Sequence, residues 1–181
     1  MNFVGIDPST KTGIVRMDEA GNVLFKTEIN ESVGSFPTEP GRINDVICKT
    51  LRCINRDDIV AIEGFSFNST GSYVGQQYAI GWGIRIGLHV RGQKYIEVSP
   101  HQLKKFVTGK GAGRKEDLIL PIFQRWGFQD TSDNIRDGFV LAQIARALHV
   151  PQQLIKPQQE VINAILNPPS QKPKTKKPRG K

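Results

Sequence analysis

The sequence predicts an α/β fold, a mixed five-stranded sheet with helices on both faces, and three observations carry that expectation. Three short apolar runs open the chain with only turn-sized breaks between them, the pattern of an antiparallel meander. Two later apolar runs are each preceded by a helix-length stretch, the spacing of crossover units that lay strands parallel. The intervening stretches repeat apolar residues at helical periodicity, so each has a face to bury. The expected order is βββ-α-β-α-β-α-α-α, a three-strand meander and then two parallel strands, with the first strand central beside the strand that ends in Glu63.

In chain order, "NFVGID" reads as a buried strand, "GIVRMD" as its neighbour and "NVLFKTEI" as a third, alternating strand. "DEAGN" (Asp18 to Asn22) is a hairpin turn signal. A polar loop from Asn30 to Pro40 follows, and Ile43, Val46, Ile47, Leu51 and Ile54 then share one face of a helix from about Gly41 to Ile54. "DIVAIEGF" is a short continuous strand, followed by a helix from about Gly71 to Val90 and a fifth strand in "KYIEVSP". "PHQLKKFVTG" opens on a first-turn proline and closes on Gly109, the punctuation of a short helix. Helices are expected from Lys115 to Trp126 and from Asp133 to His149, with Pro151 as a stop. Residues 1–150 read as the sheet domain, 151–167 as a short helical extension and 168–181 as a basic tail expected to be disordered.

Composition excludes several classes. No stretch approaches the roughly 18 apolar residues of a membrane span, and Asp7 and Lys11 interrupt what would be a signal peptide's apolar core. Cys48 and Cys53 would sit about 140° apart around a helix, so they read as free thiols in a reducing, cytoplasmic-type compartment. The net charge is +8, but six positive charges (Lys172, Lys174, Lys176, Lys177, Arg179 and Lys181) lie in the tail, leaving +2 for the rest. That pattern describes either a polyanion-seeking tail or a solubilising end.

The acids at strand ends need a reason. Asp7 terminates an apolar run, and two readings compete: an Asx-type turn onto Ser9 or Thr10, or a functional carboxylate. If the first and fourth strands are parallel neighbours, Asp7 and Glu63 leave the sheet at one end, about 5 Å apart in backbone terms. Carboxylates that close repel, and one is driven neutral unless a cation lies between them. On the last core helix, Val140, Leu141, Ile144 and Leu148 form the apolar face, and Asp137 falls on it one turn before Leu141. Asp133 lies one turn earlier still. Oxygen ligands without His or Cys favour magnesium, with manganese as a substitute, over zinc. Paired ions about 4 Å apart suit in-line phosphodiester hydrolysis.

"GIDPSTKTG", "AIEGFSF", "SPHQLKKFVTGKGAGRKED" and "DNIRDGFVLAQIARALH" resemble, in order, the motifs of RuvC-type Holliday junction resolvases of the ribonuclease H-like fold. The likeness spans about residues 3 to 149 and is most specific from Pro100 to Leu118. It implies a homodimer that nicks opposed strands of a four-way junction with magnesium, in a bacterial or phage-infected cell. Asp7, Glu63 and Asp137 match the family's catalytic acids, and Lys104 and Lys115 its basic residues near the scissile phosphate. One place departs: where the family carries a further acid, three residues before Asp137, this chain has Asn134. Asp133 is the expected compensating ligand, with Asn134 as the alternative.

Basic and aromatic residues complete the expected site. Lys115 opens a helix, where a cation is disfavoured by the dipole, so an anion is expected nearby. "GKGAGRK" lacks Gly-Lys-Ser/Thr and follows a helix, so it is no nucleotide loop. Lys110, Arg114 and Lys115 are instead expected on DNA phosphates, against the plainer reading of a solvated loop. Phe67 and Phe65 would either wedge at a distorted junction or cover the sheet edge, with cover the stronger reading for Phe65. Gly71, Gly75, Ala79, Gly83 and Gly87 form a small-residue stripe, read as close packing on the sheet or as part of a two-fold contact.

The expected function is a magnesium-dependent endonuclease that resolves four-way and related branched DNA, with two ions per site. Water held between Asp7 and a helix carboxylate attacks phosphorus, Glu63 completes the metal site and Lys115 neutralises charge on the phosphate. Two rivals remain: a non-catalytic junction-binding architectural dimer, and a fragment of an actin-like phosphotransfer protein, for which the chain is short.

Overall fold

The structure, a computed structural model, describes residues 1–31, 39–65 and 74–168. β1 (Asn2–Asp7), β2 (Lys11–Met17) and β3 (Val23–Asn30) form the meander. β1 also runs parallel to β4 (Asp58–Glu63), and β4 parallel to β5 (Tyr95–Val98). The order β3-β2-β1-β4-β5 puts β1 at the centre, as the sequence predicts. Among the described residues, no helix is long and apolar enough to cross a membrane. Phe67, Gly71, Tyr73 and the basic tail residues lie outside the described residues, as does most of the loop expected at 30–40.

Strand alternation divides the core in two. Val4, Ile6, Ile14, Val60 and Ile62 face α1 (Glu39–Arg52) and α2 (Val74–Val90), meeting Val46, Ile80 and Ile84. Phe3, Val15, Met17 and Ala61 face α5 (Asp133–His149), meeting Phe139, Val140 and Leu141. α3 (Pro100–Thr108), α4 (Ile119–Trp126) and α6 (Lys156–Leu166) complete that second layer. Residues of the 151–167 extension therefore join the main core: Val161 and Ile162 are buried with Leu103 and Phe106, and Lys105 pairs with Glu160 at 2.8 Å.

Helix starts follow local chemistry. Ser99 caps α3 by accepting from Gln102 N at 3.2 Å, while Gln102 Oε1 accepts from Ser99 N at 2.8 Å, a reciprocal capping box. The helix expected from Lys115 to Trp126 divides instead into a 3-10 turn, Lys115–Leu118, and α4. Pro121 explains the division: it cannot donate a backbone hydrogen bond, so it must sit in the first turn of the α-helix proper.

Two members of the small-residue stripe pack on a helix rather than on the sheet. A Cβ on Gly83 would lie 2.2 Å from Ile47 Cδ1, and one on Gly87 2.3 Å from Leu51 Cδ1, so these two seat α1, whereas Gly75 has open space beside it. The glycines pressed against backbone are in the strands. A Cβ on Gly5 would come 2.0 Å from Gly138 O, and one on Gly13 2.1 Å from Asn134 O. A strand glycine often marks such close backbone approach. These two let α5 lie directly on β1 and β2.

Candidate active site

One row of residues crosses four strands on the α5 side of the sheet. Glu28 pairs with Gly13, and Gly13 with Asp7. One step beyond the Ile6–Ile62 pair brings Asp7 alongside Glu63. The close seat of α5 then lays the start of that helix over the row, carrying Asp133, Asn134 and Asp137. The parallel pairing of β1 and β4 thus brings together what lies 56 positions apart in sequence.

Asp7 does not close the β1–β2 turn. Ser9 and Thr12 do that: Lys11 N donates to Ser9 Oγ at 3.1 Å and Thr12 Oγ1 donates to Ser9 O at 2.7 Å. Asp7 is buried and its side chain is hydrogen-bonded with Glu63. Burial raises Asp7 to about 6, against the lowering effects of the Glu63 hydrogen bond and the Lys115 charge. Burial first, and then the charges of Asp7 and Asp137, push Glu63 well above the usual carboxylate range. Asp7 and Glu63 are thus hydrogen-bonded to each other in surroundings that favour a protonated pair. Asp137, half-buried, rises to about 7 through burial and then the field of Asp7.

Lys115 faces this acid group from the 3-10 turn, and its ammonium pairs with Asp133. Burial alone lowers its pKa, but the Asp133 hydrogen bond and the fields of Asp133, Asp7 and Asp137 outweigh that and hold it above its ordinary value. Asp133 is correspondingly lowered, chiefly by the same hydrogen bond. Within the chain, Asp133 is thus the anion beside Lys115. Asn134 is held differently: its Nδ2 donates to Glu28 Oε2 at 3.1 Å.

A cleft of about 450 Å³ opens above the row, lined by Asp7, Lys11, Glu63, Lys115, Asp133 and Asn134 among others. Asp137 lies outside that lining. Lys104 donates to Gly113 O at 2.8 Å and so braces the glycine loop, whereas Lys110 and Arg114 are exposed on it. Phe65 packs against Tyr78 and Trp82 of α2, with ring centroids 5.1 and 5.3 Å away, and also lines the cleft. Behind it the buried Arg85 lies 4.3 Å from the Phe65 ring and donates to Glu63 O at 2.8 Å, anchoring the end of β4.

Among the described residues, no three His, Cys, Asp or Glu side chains stand spaced to close on one ion. The chemistry of the donor set nevertheless fits a hard divalent cation: the acids that meet here offer only oxygen. A cation held by Asp7 and Glu63 would relieve the repulsion between them. Three features escaped the sequence reading. Glu28, Lys11 and the glycine seat of α5 carry their signals in strand register, and Gly5 and Gly13 as interior strand glycines were the most legible of these.

No protein-family model matches the chain, and no curated protein sequence does. Solved structures do match. A Thermus thermophilus RuvC structure superposes with a TM-score of 0.63 at 20% identity, covering 78% of this chain and 91% of that one. T. thermophilus RuvC in complex with a Holliday junction substrate superposes with a TM-score of 0.62, also at 20% identity, covering 78% of this chain and 90% of that one. The chain therefore has the ribonuclease H-like fold seen in RuvC.

Proposed function

We propose that this chain is a divalent-metal-dependent endonuclease of branched DNA, four-way junctions above all, acting as a homodimer. The observation that carries the reading is the convergence of Asp7, Glu63 and Asp137 at one end of the sheet, where burial and then the negative charges around them drive them toward neutrality. A protein gains nothing in stability from three such carboxyls, so the arrangement makes sense as a cation site. The fold shared with a RuvC solved on a Holliday junction substrate supports the choice of DNA.

Asp7, Glu63 and Asp137 would hold magnesium or manganese, two ions per site, with Asp133 or Asn134 as a further donor. Such ions, when bound, supply Lewis acidity at the scissile phosphate and lower the pKa of water. The residues prepare for this by releasing protons: the Asp7–Glu63 pair gives up the one it shares, and Asp137 ionises. Lys115 Nζ, exchanging Asp133 for phosphate, offsets negative charge as the P–O bond breaks. Lys110 and Arg114, on the loop braced by Lys104, contact the DNA backbone, and Phe67 is the candidate for stacking on distorted bases.

Two incisions require two sites. On α2, Trp82, Ile86 and Val90 recur every four residues and are 55%, 59% and 79% exposed, an apolar stripe suited to a second copy. The architectural-dimer reading draws on Asn134, which lowers the charge available to a metal. One assay separates the two: incubation with a cruciform plasmid in magnesium or EDTA, with Asp7→Asn as control. Magnesium-dependent linear product, lost in Asp7→Asn, is expected for paired incision. Nicked circles alone would sink the dimer, and tight junction binding without any product would sink the nuclease.

A further inference from the structure

Glu28 stands outside every role assigned so far, yet it meets α5 at two points. Its Oε2 accepts from Ser132 Oγ and, at 3.1 Å, from Asn134 Nδ2. It reaches them across Gly13, its cross-strand partner, whose lack of a side chain leaves the path clear. Ser132 in turn accepts from Ile135 N at 3.2 Å and caps α5.

We infer that Glu28 is a positioning residue that fixes the Asn134 amide with its carbonyl oxygen toward the cleft, making Asn134 rather than Asp133 the further metal donor. An ionised carboxylate only accepts hydrogen bonds, so the atom of residue 134 that faces Glu28 must be a donor. Asn satisfies that rule through Nδ2, which turns Oδ1 to the cleft that Asn134 lines. Asp could do so only by taking up a proton, as in the Asp7–Glu63 pair; ionised, its oxygen would be pressed against the Glu28 oxygen at hydrogen-bond range. The asparagine is therefore the residue that meets an ionised Glu28 with no added proton. Without DNA, Asp133 meanwhile has its own partner in Lys115.

The inference rests on the metal reading above, and four full-length proteins separate the two: wild type, Glu28→Gln, Asn134→Asp and the double variant. Each is melted in EDTA and titrated calorimetrically with magnesium chloride alone. Asn134→Asp is expected to lower the metal-free melting temperature, and Glu28→Gln in the same chain to restore it, because a glutamine amide can donate to the new aspartate. Glu28→Gln alone leaves the amide free to turn over and weakens magnesium uptake by about tenfold, the usual scale for a group that orients a ligand. The double variant binds magnesium at least as tightly as wild type. Additive melting shifts, or wild-type magnesium affinity in Glu28→Gln, would overturn the positioning role. Absence of magnesium uptake by the wild type would instead sink the metal reading, while the coupling in EDTA would still decide whether Glu28 dictates the residue at 134.

Discussion

At the scale of single residues, the site stores unfavourable electrostatics. Asp137 binds its proton up to about pH 7 in the folded chain, whereas an unfolded aspartate releases it near 3.8. Between those values the folded state holds the extra proton, so stability falls as pH rises through the window. Asp7, raised to about 6, and Glu63 act in the same direction. Asp137→Asn removes one such group and should stabilise the metal-free protein at pH 8 by on the order of 1–3 kcal/mol, with little effect at pH 4. Melting curves in EDTA across that range test it, and an Asn variant that melts lower than wild type at pH 8 would refute it. Magnesium should raise the melting temperature of wild type more at pH 8 than at pH 5, and that gain should shrink in the variant.

At the scale of elements, the seat of α5 on the sheet sets the geometry. Gly13→Ala would place a Cβ 2.1 Å from Asn134 O, an overlap with backbone that only movement of the helix can relieve. The expected cost is about 1–3 kcal/mol, typical of overpacking, and Asn134 and Asp137 would move with the helix. Cleavage should therefore fall much further than junction binding, as rates against gel-shift affinities will show. Full cleavage with unchanged stability would refute the tight seat. Gly83 makes the contrast: there the neighbour is the flexible end of Ile47, which can yield. The strands and their order were legible in the sequence because alternation is a local pattern. Asp7 and Glu63 showed as charges at strand ends, and Asp137 as an acid on the apolar face of a helix. Glu28 was not: in an alternating edge strand an acid reads as solvent-facing, and nothing local announces the helix start above it. The partner of Gly83 and Gly87 was equally hidden, since spacing gives the stripe but not whether a sheet or α1 fills it. Lys115 showed that it needed an anion, yet its pairing with Asp133 depends on how a 3-10 turn meets α5.

At the scale of the whole molecule, charge is divided between a nearly balanced body and the basic tail, which carries six of the chain's positive charges after Gln171. Among the described residues the core is closed by α6, which ends at Leu166 and buries Gln158, Val161 and Ile162. Removing residues 169–181 should therefore leave the melting temperature unchanged. DNA binding should respond differently. Each lysine or arginine that neutralises a phosphate contributes about 0.9 to the slope of log affinity against log salt, so the truncated chain should lose up to about 5 units of slope. Because those contacts read charge and not shape, affinity for linear duplex should drop as much as affinity for a four-way junction at low salt. Preference for the junction would then persist, resting on the cleft and the surfaces around it. Titrations of both DNAs at several salt concentrations test this division: a loss of junction preference on truncation would move recognition of the branch into the tail, and an unchanged slope would leave the tail without a role in DNA binding.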